Sequence, residues 1–258
     1  MTDERDAAVP GAVPEADPFD LAGDVAAALR DRTAAWTFLD RFTREWAPVL
    51  PVDHQPGWDA YVMDTAAARL GVPLPAALRE GYALLGGRED LTGEVTAVLV
   101  PPGELRLHDG VGAGDDAGVL VLHRDGTPDA ALGIRVADLD QDDPPVVEGG
   151  EQDGWHPYLD RVSTAFLDLV LWQWVTTWPD AHHDVLLDPD DPARTALDTH
   201  CTPLALAHPG GRYYLAGEDT LLCTAGSRVV LAAARSPAGL DAARALLPGT
   251  WQRAADAL

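Results

Sequence analysis

Residues 163–178 are apolar on most sides when wound as a helix, and the most apolar part is interrupted by Asp168 and Gln173. A helix without a polar face has nothing to turn toward water, so this stretch predicts a buried helix rather than a surface one. The chain must supply elements to cover it. The apolar run itself, residues 166–175, is too short to span a bilayer, which takes about 20 apolar residues. With 258 residues, 47% of them apolar, there is ample material for a sizeable core in one large domain or two small ones.

Helical signals come first along the chain. Residues 1–18 carry prolines, alanines and acids without apolar periodicity and read as a disordered lead-in. Trp36, Leu39, Phe42 and Trp46 recur at helical spacing, and Pro48 and Pro51 end that helix. Val62, Ala66 and Leu70 stand four apart over residues 59–70. Pro75 suits the first position of a helix on which Leu78, Tyr82 and Leu85 share a face, with Gly86-Gly87 as its stop. Strand signals follow at 95–100, closed by Pro101-Pro102, and at 119–122 and 130–136 on either side of Asp125-Gly126, a dipeptide suited to a hairpin loop. Acids and paired prolines make residues 138–145 a loop. Beyond the buried helix, the Asp-Pro-rich stretch 184–192 reads as a linker. Short apolar runs between glycine-bearing turns at 209–211, 217–219 and 225–227 then predict a meander of about four antiparallel strands. Ser236 caps a closing helix with Pro237 in its first turn and Leu240, Ala243 and Leu247 on its inner face.

Composition excludes several chemistries. The chain has no lysine, no asparagine and a single isoleucine, Ile134, a skew that reports a GC-rich bacterial coding sequence. Without lysine there is no phosphate-loop lysine and no lysine Schiff base. The serines are Ser163, Ser227 and Ser236, and none lies in a Gly-x-Ser-x-Gly turn. The formal net charge of −24 repels phosphate backbones, which argues against a nucleic-acid partner. It favours salt-sensitive encounter with basic proteins, and it also serves solubility. The start, Met-Thr-Asp-Glu-Arg-Asp, has no secretory signal character, and Cys201 and Cys223 form neither a disulfide framework nor a thiolate zinc site. The expectation is a cytoplasmic protein with no membrane contact and no cofactor.

Candidate chemical constellations are weak. His182-His183-Asp184, with His200-Cys201 near in sequence, has ligand types for a metal-dependent hydrolase but neither His-Glu-x-x-His nor Cys-x-x-Cys spacing. Gly110-Val-Gly112-Ala-Gly114 misplaces the third glycine of a dinucleotide loop and sets Asp115 and Asp116 where phosphate would lie. The acids Asp138, Asp140, Asp142 and Asp143 lack the central glycine and closing glutamate of a calcium loop. Among the tryptophans, Trp36, Trp46, Trp172 and Trp174 fall on helical faces and belong to a core, whereas Trp58 and Trp155 lie in loop-like contexts flanked by glycine or proline. A tryptophan beside acidic loops suits a binding anchor.

The order of three elements resembles the SUKH superfamily, which includes many bacterial toxin-immunity proteins. The first is Leu74-Pro75 opening a helix that runs to Tyr82 and Gly87. The second is Asp90-Leu91 with the following strand and the Pro-Pro-Gly-Glu-Leu turn at 101–105. The third is the strand pair ending at Asp138-Leu139, followed by Asp143-Pro144-Pro145-Val146, Trp155 and a closing helix. Together they cover residues 55–178. The chain departs from the family pattern where an acidic-amide pair and a strand tryptophan often stand, with His123-Arg124 and Leu132 in those places.

The resemblance implies an α+β fold: N-terminal helices, a central largely antiparallel sheet, and a C-terminal β-meander plus helix. The expected division is a lead-in at 1–18, a SUKH-like domain with a helical extension at 19–183, and a C-terminal unit at 193–258 packed on the core. It also implies a non-enzymatic protein-binding module, an immunity protein that occludes a basic toxin domain. Alternatives are a regulatory scaffold for an endogenous protein and a metal-dependent hydrolase. Asp138, Asp140, Asp142, Asp143 and Trp155 are the expected partner-binding residues.

Overall fold

A computed structural model of the protein describes residues 18–46, 57–86, 98–108, 118–124, 131–150, 154–176 and 181–253. The expectations for residues 1–17, for Pro48 and Pro51, Gly87, Asp90-Leu91, residues 95–97 and 110–116, Asp125-Gly126 and residues 177–178 lie outside the described residues.

Four helices open the chain: α1 (Leu21–Ala28), α2 (Arg32–Arg41), α3 (Ala60–Leu70) and α4 (Ala76–Leu85), with α2 running on through a π-helical turn, Phe42–Trp46. Asp31 and Asp59 cap α2 and α3 by accepting the N–H groups of Ala34 and Val62, each at 2.9 Å. The stripe on α2 is inward as its spacing predicts, with Leu39, Phe42 and Trp46 buried. On α3 the buried residues are Met63 and Ala66, while Val62 and Leu70 are only half-buried, so the inner face is turned slightly from the one the four-residue spacing indicates. Pro75 caps α4 rather than occupying its first turn, and Leu78, Tyr82 and Leu85 are buried together.

Two antiparallel sheets follow. The first holds β1 (Val98–Leu99), β2 (Arg106–His108), β3 (Val119–Arg124), β4 (Ala131–Arg135), β5 (Val146–Gly150) and β6 (Gly154–Leu159), in the order β1-β3-β4-β5-β6, with β2 also paired to β3. The second holds β7 (His182–Leu187), β8 (Thr202–His208), β9 (Gly211–Ala216), β10 (Thr220–Ala225), β11 (Val229–Ala234) and β12 (Trp251–Arg253), in the order β12-β7-β11-β10-β9-β8.

Helix α5 (Val162–Thr176) lies between them, and all of its residues except Trp172 are buried. On one side Ala165, Phe166 and Leu169 meet Leu99, Leu122 and Leu132 of the first sheet. On the other it packs on β10 and β11, and α2 and α4 close the remaining flanks. Gly81 of α4 permits the closest approach, since a Cβ there would sit 2.6 Å from the Phe166 ring. The second sheet alternates along each strand: Tyr213, Leu221, Cys223, Leu231 and Ala233 join the α5 core. Tyr214, Leu222, Val230, Ala232 and Ala234 face α6 (Asp191–His200) and α7 (Pro237–Leu246).

The fold is α+β, with helices leading into two antiparallel sheets. The expected meander is β8 to β11, and α7 is capped by Ser236, whose hydroxyl accepts the Gly239 N–H at 3.1 Å. The expected linker at 184–192 is corrected: most of β7 lies in it, and β7 is an interior strand hydrogen-bonded to β11 on one side and β12 on the other. The boundary placed between 183 and 193 therefore cuts through a sheet that residues from both sides build.

Candidate functional site

The acidic loop leaves β4 through a short 3-10 turn, Val136–Asp138, and is fastened at several points. The first turn of any helix leaves N–H groups without intrahelical partners, and carboxylates satisfy them well. Asp143 does this for α5, accepting the Ser163 N–H at 2.9 Å and the Ser163 hydroxyl at 2.6 Å. The Val162 N–H donates to Pro144 O at 2.9 Å, and the Ala77 N–H at the start of α4 donates to Asp142 O at 2.8 Å. Arg32 of α2 also donates to Asp142 O, at 3.2 Å. Within the loop, the Gln141 amide donates to Asp138 Oδ1 at 2.8 Å.

The expected site residues thus divide. Asp143 is half-buried and engaged with α5, and Asp138 is half-buried and held by Gln141. Asp140 and Asp142 point outward, the Asp142 side chain being 84% exposed with its nearest guanidinium nitrogen, on Arg32, at 3.8 Å. Asp142 also forms part of the wall of an open cleft of about 740 Å³ against α1 and α2, lined among others by Asp24, Arg30, Asp31 and Arg41. The neighbouring arginines are shared with the chain's own acids: Arg32 with Glu80 at 2.9 Å, and Arg41 with Asp24 at 3.1 Å and Glu45 at 3.2 Å.

Trp155 stands apart from this group. It is a strand residue of β6, not a loop residue, half-buried against the core and 6.0 Å from the His108 ring. It pairs with Gly149, whereas the loop enters the sheet at Val146, three residues back and roughly 10 Å along the strand.

The metal-ligand candidates do not converge either. His182, His183 and Asp184 belong to β7, not to a loop, so successive side chains point to opposite faces. His182 is exposed. His183 Nε2 lies 3.0 Å from Trp174 O, and burial followed by the neighbouring His182 lowers its pKa. Asp184 is buried and paired to Arg244. His200 ends α6, and burial pushes the Cys201 thiol up to about 11. Among the described residues, no three His, Cys, Asp or Glu side chains are grouped to hold a metal ion.

One polar cluster was not singled out by the sequence. Asp168, in the middle of α5, accepts a hydrogen bond from Tyr158 of β6 on one oxygen and from Tyr213 of β9, at 2.9 Å, on the other. The His208 ring stands 5.8 Å from Tyr213 and 6.2 Å from Tyr158, with Cys223 Sγ 3.9 Å from its Nε2. Burial raises the Asp168 pKa, opposed by His208 and by the two phenols. Cys223 resembles a nucleophile beside a base, yet it is fully buried and its thiol is pushed far up by burial and then by Asp168. The Gly210 N–H donates to His208 Nδ1 at 3.3 Å, so a neutral His208 carries its proton on Nε2 and has no free base to offer the sulfur. The cluster is a bridge between the sheets. The signal for it was the lone acid inside an otherwise apolar helix.

No helix among the described residues is long and apolar enough to cross a membrane. No family model, no curated protein and no solved structure matches the chain.

Proposed function

We propose that the chain is a non-enzymatic protein-binding module, a SUKH-type immunity protein whose acidic loop docks on a basic toxin domain and occludes it. The observation that carries this reading is the loop's construction: Asp140 and Asp142 are exposed on a backbone tied to α2, α4 and α5. Carboxylates on such a fastened backbone lose little freedom on binding, so more of each contact appears as affinity. The net charge of −24 adds long-range attraction for a cationic surface. The order of Leu74-Pro75, the 101–105 turn and Asp143-Pro144-Pro145-Val146 supports the family reading.

The test is calorimetry at two salt concentrations against the C-terminal domain of a large secreted protein encoded beside this gene. Tight one-to-one binding that weakens with salt is the expected result. D140N/D142N should reduce affinity between about twofold and thirtyfold at low salt, as the loss of two exposed charges implies, and should flatten the salt dependence. Asp143 is left unchanged, because it caps α5. Unaltered affinity and salt dependence in the variant would remove the loop from the interface. Binding only to an endogenous protein would replace the immunity role with that of a regulatory scaffold.

A further inference from the structure

Helix α4 begins at the acidic loop, through the Ala77 N–H bond to Asp142 O. Its far end, roughly 15 Å away by helical rise, carries a second unusual feature. There the Trp58 N–H donates to Tyr82 O at 3.0 Å. A Cβ on Gly57 would lie 1.9 Å from Ala83 O, and one on Gly86 would lie 2.3 Å from Cδ1 of Trp58. Two residues without side chains thus let this segment close on the end of α4 and hold the indole in place. Trp58 is nevertheless 37% exposed, and Tyr61, in the first turn of α3, is 77% exposed. Among the described residues the other large apolar side chain this exposed is Leu187, on the second sheet.

We infer that Trp58 and Tyr61 form an aromatic anchor for the basic protein partner, so that one footprint runs along α4 from the acidic loop to this ledge. The inference rests on the binding reading proposed above and extends its site. Charge complementarity selects the partner: the exposed Asp59 and Asp64 stand within three residues of Trp58 or Tyr61 along the chain, and the chain as a whole is strongly acidic. Aromatic faces in acidic surroundings suit a guanidinium or ammonium group, and tryptophan and tyrosine are the side chains most often found to dominate interfaces. Between its two ends α4 carries Arg79 and Glu80, ion-paired to Asp64 and Arg32. An interface of about 800 Å² per partner is on the order of 30 Å across, so both ends of α4 fit within one.

The full chain, labelled with 5-fluorotryptophan and titrated with nona-arginine at low salt, tests this by ¹⁹F NMR, with the Trp58 line assigned through W58F. The Trp58 line should move along the binding isotherm while those of the buried Trp46 and Trp174 stay fixed. Tyr61→Ala should weaken the peptide's affinity about twofold to fivefold, the size of an exposed cation–π contact. Peptide binding with an unmoved Trp58 line and an unchanged affinity in Y61A would overturn the anchor and leave the acidic docking reading standing. No binding of the peptide at low salt would overturn both.

Discussion

Replacing Tyr213 by phenylalanine deletes one hydroxyl from the interior and takes a donor from Asp168, a buried acceptor. Hydrogen bonds to charged groups contribute about 1.5–3 kcal/mol, so the loss should be about 2 kcal/mol at a pH above the folded-state pKa of Asp168, where the carboxylate is ionised. For a chain of this size each kcal/mol corresponds to about 2–4 °C in Tm, which puts the expected fall at about 4–8 °C. In a D168N background the same hydroxyl meets a neutral amide, and its loss should cost about 1 kcal/mol. The four proteins of this cycle can be compared by urea unfolding, followed by far-UV circular dichroism and tryptophan fluorescence. Equal losses in the two backgrounds would refute the claim that Tyr213 acts through the carboxylate. The same proteins give a pH signature. Burial raises the folded-state pKa of Asp168 above its ordinary value of 3.8, so the folded chain holds this proton more tightly than the unfolded chain does. The contribution is therefore fully present below the unfolded value and is lost as pH rises through the folded one. Acidification across that window should shift the stability difference between wild type and D168N in favour of wild type. A difference that stays constant with pH would mean that Asp168 is no harder to ionise folded than unfolded.

Asp143→Ala should lower stability by about 1 kcal/mol, the usual loss for a helix cap, and Ser163→Ala by less because the backbone N–H bond to Asp143 survives; thermal unfolding reads both, and equal stability of D143A and wild type would show that the cap is not needed. Burial raises the pKa of both Cys201 and Cys223, so at pH 8 a thiol reagent should modify them only as fast as the native chain opens; rapid labelling of either in the folded protein would contradict its burial.

Local patterns were readable wherever neighbours in sequence settle the outcome. The all-round apolar character of residues 163–178 announced α5, and the turn glycines announced the meander, because period and punctuation are properties of short windows. What escaped depends on distant partners. The chain around 182–192 mixes histidines, aspartates and prolines, and the interior position of β7 arises from pairing with Val229–Ala234, far along the chain. Asp143 reads as one acid among several until Ser163 arrives twenty residues later to use it. Asp168 was visible as an oddity, but nothing local to it named Tyr158 and Tyr213. Trp58 and Trp155 looked alike in sequence, yet one is clasped on the end of α4 and the other lies within a strand.

The position of β7 has a consequence for how the chain is made. Both of its neighbours, β11 and β12, are synthesised after it, beyond α6 and three further strands. A growing chain that has just released β7 carries the apolar run Val185-Leu186-Leu187 with no edge to join, and α5, though it can rest on the first sheet, α2 and α4, has nothing yet to cover the side that β10 and β11 will take. Long-range pairing of this kind slows folding and prolongs the exposure of sticky surface. The nascent protein should therefore depend on holdase chaperones until residue 234 has emerged, and the second-sheet side of the core should form only then rather than in order from the amino terminus.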